Sequence, residues 1–361
     1  MKPGLTNIRY LHIVRGLAAL LVVFFHAKYV FWVGGKIYMD EIGLHSITDY
    51  FLFSLDMLSS CGKECVIVFF ILSAFVIRHT ADRYNNQWME FYKIRIIRIY
   101  LPFLFSLIFS VAILYACVNL NPLINTNSFR EYNARLFTAY NEFSWRQVLK
   151  TIIFLEKGEF SGANYAYWSL GHELIFYFLF PVYFWLTRKG LVIFSIVSTA
   201  LFLITSLHLF YYQLFFVGGI FLYDYFKNYS TGPILKNKLI YAALLIGFFI
   251  AVNLSNKMIS EKFSDLVTLI FSFFIFDYVL YFVKNKNKWL MKLGDISYTL
   301  YLNHLPVLLL GYCLVTLYTG KLVFYSRVPY YAGVLFALLL AVPLYYMAEK
   351  PSIAFLKKLR K

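Results

Sequence analysis

Ten stretches of this chain are long enough to cross a bilayer and carry scarcely a charge. They are roughly Leu11–Val33, Cys61–Ile77, Ile99–Leu120, Tyr167–Leu186, Leu191–Leu207, Leu209–Phe226, Leu239–Leu254, Phe263–Val283, Ile296–Tyr318 and Val328–Met347. A spanning helix needs about 20 mostly apolar residues, and in lipid a helix satisfies its own backbone hydrogen bonds. The repetition therefore predicts an all-α membrane protein with about ten transmembrane helices in one bundle. The fifth and sixth spans are separated only around His208 and should form a tight hairpin. A further apolar stretch, Tyr50–Leu58, is too short to cross and is expected to lie at the interface or to re-enter. Charged residues make up 14% of the chain, against about 25% in soluble domains, which excludes disorder and argues against a water-soluble globule.

The charges that remain are unbalanced, 34 Lys+Arg against 18 Asp+Glu, for a formal net charge of +16. In a soluble protein that excess would suggest nucleic acid; in a membrane protein it marks cytoplasmic loops. With the N-terminus in the cytoplasm, Lys+Arg divides 21 to 11 in favour of the inside. Five of the outer cations fall in the long loop at about 121–166, where the rule is weak. Both termini are thus expected in the cytoplasm, with the lipid bilayer as partner and no nucleic acid. Lys2, Arg9 and Arg15 flank the first span as in a signal peptide, but no small-residue cleavage site follows, so the span is read as uncleaved. The simplest organisation is one membrane domain over 1–361, whose outer loop holds an amphipathic helix around Trp145–Leu155. Cys117 and Cys313 stand alone within spans, and Cys61 and Cys65 share one helix face with poor geometry for a disulfide. There is no zinc spacing and no glycine-rich phosphate loop, so no metal is expected.

Ionisable residues inside apolar runs cost about 2.5–3.5 kcal/mol to insert and are functional candidates by default. Arg15 and His26 stand 11 residues apart in the first span, about three helical turns plus 20° and about 16 Å of rise. They share a face, with Arg15 near the cytoplasmic edge and His26 near mid-membrane. That spacing suits a long anionic ligand held at its charged end by Arg15 with its reactive end beside His26. Arg95 and Arg98, at i,i+3 where the third span begins, present paired forks of the kind that match phosphate oxygens, with Lys93 nearby. Glu173 lies about one turn into the fourth span, where a carboxylate can orient an imidazole or accept a proton. His172 beside it reads as interfacial. Asp295 reads as the N-cap of the ninth span, which carries His304 to mid-depth. Two imidazoles and a carboxylate from three spans could therefore converge. Asp224, Asp277 and Glu349, near helix ends, are given structural roles.

Taken together these stretches resemble the integral-membrane acyltransferases of the acyltransferase-3 class. The resemblance runs over nearly the whole chain. It is carried by Arg15-x10-His26, the run Phe69 to Phe75, Arg95-x-x-Arg98 with Pro102, Trp168-Ser-Leu-x-x-Glu173 with Tyr177 and Pro181, Ser297-Tyr-x-x-Tyr-Leu-x-His304, and Glu349-Lys-Pro351. The chain departs from the family pattern at Cys65, at Ala74 and in placing Pro102 one residue late. The resemblance implies transfer of an acyl group, most often acetyl, from cytosolic acyl-CoA to a hydroxyl of a surface glycan such as O-antigen or exopolysaccharide, in the bacterial cytoplasmic membrane. Acyl-CoA would be a co-substrate, with no permanently bound cofactor, and the acceptor a glycan or lipid-linked saccharide. Arg15 and His26 match the family's first-helix pair, Arg95 and Arg98 its cytoplasmic arginines, and Glu173 its acid. Many relatives carry a C-terminal extracytoplasmic hydrolase-like domain, and none is expected here.

On this reading Arg15, Arg95 and Arg98 receive the phosphates of acyl-CoA. His26 acts as general base for the acceptor hydroxyl or briefly as acyl carrier, with Glu173 supporting it. Trp168 and His304 are assigned to the acceptor, and the aromatic outer loop is a platform for sugar rings. The rival is a transporter or flippase for a lipid-linked glycan. Its usual mark is an internal repeat of spans, which this sequence does not display, and it leaves the Arg–His and paired-arginine spacings unexplained.

Overall fold

The computed structural model describes residues 3–81, 87–126, 130–155, 161–190, 208–284 and 287–359. After a 3-10 segment, Pro3–Tyr10, the helices are α1 (Leu11–Phe31), α2 (Gly35–Glu41), α3 (Ile47–Leu58), α4 (Gly62–Ala81), α5 (Trp88–Leu120), α6 (Glu131–Asn141), α7 (Trp145–Ile152), α8 (Trp168–Lys189), α9 (His208–Asn228), α10 (Lys238–Met258), α11 (Glu261–Phe282), α12 (Lys288–Thr319), α13 (Val328–Leu344) and α14 (Lys350–Leu359). Tyr345–Glu349 forms a π turn between the last two.

Among the described residues, eight helical stretches are long and apolar enough to cross a membrane: Leu5–Phe31, Gly62–Ala81, Trp88–Leu120, Tyr165–Thr187, Lys238–Ser255, Glu261–Phe282, Lys288–Thr319 and Val328–Leu359. The chain is thus a multi-pass helical membrane protein. Of the ten spans expected, Leu191–Leu207 lies outside the described residues. Leu209–Phe226 is helical in α9, but Gln213, Asp224 and its tyrosines leave it outside that set of eight. The short run Tyr50–Leu58 forms most of α3, started by a capping box in which Ser46 accepts from Asp49 N and Asp49 accepts from Ser46 N. The expected amphipathic helix is α7, capped by Ser144, with Trp145, Leu149 and Ile153 exposed one turn apart. Asp295 is not an N-cap: α12 starts two turns earlier, where Asn287 Oδ1 accepts from Trp289 N at 2.9 Å, and Asp295 is an exposed residue within the helix.

Two compact units are distinguished, one of Met1–Ala18, Lys63–Arg95 and His172–Asp295, the other of Ala19–Gly62, Ile96–Gly171 and Ile296–Lys361. In the first, Phe70 and Phe176 both stack on Phe216 with ring centroids 4.5 and 4.4 Å away. Gly294 lies so close to α1 that a Cβ there would fall 2.3 Å from the His12 carbonyl oxygen, so only glycine permits this approach. Arg78 pairs with Asp224 at 3.0 Å, and Asp277 accepts from Ile234 N at 3.0 Å.

The second unit has a core of Phe103, Leu107, Tyr167, Leu170 and Leu302, with Trp168 packed against it. Pro306 interrupts α12 here. Lacking an N–H, it leaves the Leu302 carbonyl without its helical donor. Ser106 Oγ and Asn164 Nδ2 supply the missing bonds at 2.9 and 2.8 Å. Tyr167 OH bonds in turn to Ser106 and Ser110 at 2.8 and 3.0 Å. A proline break is thus repaired from α5 and from the segment before α8, which ties three parts of the chain together beside His304.

Candidate active site

In the second unit, α1 presents His26 and Tyr29 one turn apart, and α12 presents Tyr301 and His304 in the same relation. His304 is 1% exposed, whereas His26 is half-buried. The rings meet: His304 Nε2 and His26 Nδ1 are 2.9 Å apart, and His304 Nδ1 lies 2.7 Å from the Tyr301 carbonyl oxygen. The second bond decides the hydrogens of both rings. A carbonyl only accepts, so His304 carries its proton on Nδ1 and its Nε2 is a lone pair. That lone pair requires a donor, so His26 carries its proton on Nδ1. The free lone pair of the assembly is therefore His26 Nε2, on the less buried ring. A carbonyl, two imidazoles and an unprotonated nitrogen in series give a base or nucleophile with a defined tautomer.

The C-terminal end of α1 is held firmly. Arg130 donates to the carbonyls of Tyr29 at 3.1 Å and Trp32 at 3.4 Å, and also to that of Leu322. A cation at a helix C-terminus satisfies carbonyls that have no helical partner. Val33 N donates to Phe324 O and Phe324 N to Phe31 O, both at 3.2 Å. Lys28 donates to the Asp56 carbonyl and to Ser60 Oγ. Asp56, 1% exposed, accepts from Arg327 Nε at 2.7 Å and from the Tyr330 hydroxyl. These groups pin the turn of α1 immediately after His26.

Aromatic rings surround the pair. Tyr165 stands edge-on to His26 with centroids 5.5 Å apart and to Tyr29 at 5.9 Å. Tyr132 from α6 meets Tyr29 at 5.8 Å. Burial, foremost, pushes the Tyr132 phenol well above its ordinary value, so it remains neutral.

In the first unit, Glu173 accepts from Ser73 Oγ at 3.0 Å and from the Tyr177 hydroxyl one turn along α8. The Arg95 guanidinium lies 5.5 Å from the Tyr177 ring centroid and 5.6 Å from that of Phe91. Glu173 and Arg95, far apart in sequence, are thus gathered around Tyr177. Arg15 is half-buried on α1 and belongs to the same unit. Arg98 follows Arg95 by one turn of α5 and is half-buried in the second unit, where Trp168 also sits. His172 packs edge-on to Phe70 and against Tyr212. All four cysteines are buried and none is in a disulfide. Among the described residues no group of three or more His, Cys, Asp or Glu is placed to hold a metal ion.

The family model for the acyltransferase domain matches residues 8–347, almost the whole chain. The chain belongs to the acyltransferase-3 family. No curated protein and no solved structure matches it. Membership makes this chain a membrane acyltransferase, and the task of its site is to bring a nucleophile to an acyl carbon. The structure joins two of the residues singled out by spacing, His26 and His304, and brings Glu173 and Arg95 to a shared tyrosine. It also adds groups that sequence reading did not single out: the Tyr301 carbonyl, Tyr29, Tyr165 and Arg130. Tyr29 was discoverable, since i,i+3 from His26 puts it on the same face. Arg130, just before α6, lies in an inter-span segment whose path nothing local reveals.

Proposed function

We propose that the protein is an O-acyltransferase that moves an acyl group, most simply acetyl, from cytosolic acyl-CoA to a hydroxyl of a surface glycan in the bacterial cytoplasmic membrane, with both termini cytoplasmic. The observation that carries this reading is the His304–His26 bond, which leaves His26 Nε2 unprotonated. General-base transfer to a thioester needs such a lone pair. His26 Nε2 takes the proton of the acceptor hydroxyl as its oxygen attacks the thioester carbonyl carbon. The carbon–sulfur bond then breaks, and the departing CoA thiolate takes that proton back from Nε2. The products are an O-acyl ester and CoA thiol, with His26 restored. While His26 is an imidazolium, its Nδ1–H bond to His304 becomes charge-assisted and stronger, so His304 is a positioning residue that also stabilises the transient charge.

Arg15, Arg95 and Arg98 are proposed to bind the donor's phosphates, a role suited to guanidinium forks. Glu173 supports this donor site by fixing the Tyr177 ring against Arg95. Trp168 is proposed to serve the acceptor. The test reconstitutes the purified protein in liposomes with radiolabelled acetyl-CoA and a glycan acceptor. Label on the glycan, lost in His26→Ala, is the expected result. Movement of unmodified glycan with no label on it would refute the reading in favour of a flippase.

A further inference from the structure

Next to Tyr165, the ring that stands edge-on to His26, lies a polar cluster that the transfer step does not use. Glu131 and Arg135, one turn apart on α6, are joined by bonds of 3.1 and 2.7 Å. Their side chains are 65% and 39% exposed, so they form the rim of the cluster. The Arg135 guanidinium lies 5.2 Å from the Tyr165 ring centroid, and the same ring meets His26 with centroids 5.5 Å apart. The Tyr29 hydroxyl is buried and faces the Glu131–Arg135 pair. The Tyr165 hydroxyl is buried, lies within electrostatic reach of Arg135, Glu131, Tyr29 and Tyr132, and has no hydrogen-bond partner among the described residues.

A buried phenol without a partner costs free energy, and folding alone gives no reason to keep it. The neighbouring groups say what kind of partner would suit it. Two phenols each donate and accept, Arg135 donates, and Glu131 accepts. Ion pairing between Arg135 and Glu131 makes the rim nearly neutral, which disfavours a phosphate or a carboxylate. An acyl chain would leave the Tyr165 hydroxyl without a partner. A ligand dense in hydroxyls, able to donate and accept at once and carrying no charge, matches them all.

We propose that Tyr29, Tyr165, Glu131 and Arg135 form the acceptor subsite, which binds an uncharged sugar ring and delivers one of its hydroxyls past the Tyr165 ring to His26. This rests on the acyl-transfer reading above, and it names the part of the acceptor recognised and the residues that select it. Because Tyr165 neighbours both Arg135 and His26, a sugar bound at the rim can hold its reacting hydroxyl near Nε2 while another of its hydroxyls supplies the partner that the Tyr165 phenol lacks.

The experiment uses the full chain in nanodiscs, with a set of methyl hexopyranosides as neutral probes and methyl hexuronides as anionic ones. Binding is measured by saturation-transfer NMR without any donor, and transfer is measured separately as CoA release from acetyl-CoA. Saturable binding of at least one neutral hexoside is expected, weakened about fivefold by Tyr165→Phe and at least tenfold by Arg135→Gln. In the transfer assay the same factors should appear in the acceptor KM and not in the acetyl-CoA KM. A purely structural role predicts the opposite for Tyr165→Phe, because removing an unpartnered hydroxyl leaves stability unchanged or raises it. No hexoside binding to the parent protein, binding unmoved by both variants, or tighter binding of hexuronides would each overturn the proposal. If hexosides bind as expected yet no acetyl is transferred to them, the subsite stands and the acyl-transfer reading fails.

Discussion

His304 makes a demand on mechanism that can be measured. Replacing it by leucine removes the acceptor for His26 Nδ1–H and the donor to the Tyr301 carbonyl, at a position 1% exposed. Two outcomes are open to His26. Its Nδ1–H can stay in place without a partner, at about 1–3 kcal/mol for a buried polar group, or the proton can move to Nε2 and abolish the base. Either way the reactive tautomer loses about 1–3 kcal/mol of preference, which converts to a rate loss of roughly 5- to 150-fold. Losing the base itself costs more, since general-base catalysis contributes about 10²–10⁴-fold. His304→Leu should therefore reduce kcat by less than His26→Ala does, and the double variant should be no slower than His26→Ala alone, because His304 acts through His26. His304→Gln should recover part of the rate, since its side-chain carbonyl can accept from His26 Nδ1–H. The assay is CoA release from acetyl-CoA in the presence of a methyl hexopyranoside, with thermal melting as the check on folding. Independent losses that multiply in the double variant would refute the relay. A rise in acceptor KM at unchanged kcat would instead make His304 an acceptor ligand.

Three further outcomes follow from the geometry. Asp56→Leu should cost about 3–5 kcal/mol of stability, read as a lowered melting temperature in detergent, because it leaves Arg327 with a side chain 11% exposed and no carboxylate; adding Arg327→Met should restore most of the loss. Asn164→Leu withdraws one of the two donors to the Leu302 carbonyl and should cost about 1–3 kcal/mol, whereas the same change at the exposed Asn141 should cost much less. The capping box of α3 should respond to acid: the Ser46 hydroxyl, then backbone amides, hold the Asp49 carboxyl below its ordinary value. A depressed folded pKa means that the cap's contribution is present above the unfolded pKa of about 4 and is lost as pH falls through the lower folded value. Hydrogen exchange in the first turn of α3 should accelerate over that acid range, and Ser46→Ala should weaken the pH dependence, leaving the part due to the His45 and Ser46 amides.

Helix type and approximate position were legible in the sequence because the bilayer imposes a one-dimensional rule: a stretch either carries enough apolar residues in a row to satisfy lipid or it does not. That rule located the eight stretches recovered here, and amphipathic spacing located α7. It was least informative for α9, whose polar residues face protein and so blur the hydropathy signal. Local capping was also misjudged. Asp295 resembles an N-cap in isolation, yet α12 starts at Lys288, because Asn287 caps first and nothing in the following residues stops the helix.

The sequence by itself determined that this is a helical membrane acyltransferase, and periodicity identified His26, His304, Arg15, Arg95, Arg98 and Glu173 as ionisable residues in unusual places. Which of them meet was beyond its reach, because partners 278 residues apart, such as His26 and His304, carry no mark of each other in local pattern. Tertiary structure decided that the two imidazoles bond directly, that Tyr301 fixes their protons, and that Glu173 and Arg95 share Tyr177. It also decided that the Tyr165 hydroxyl, beside His26, is buried without a partner among the described residues. The physical reason is the same in each case: a hydrogen bond depends on distance and direction between atoms, and only packing sets those.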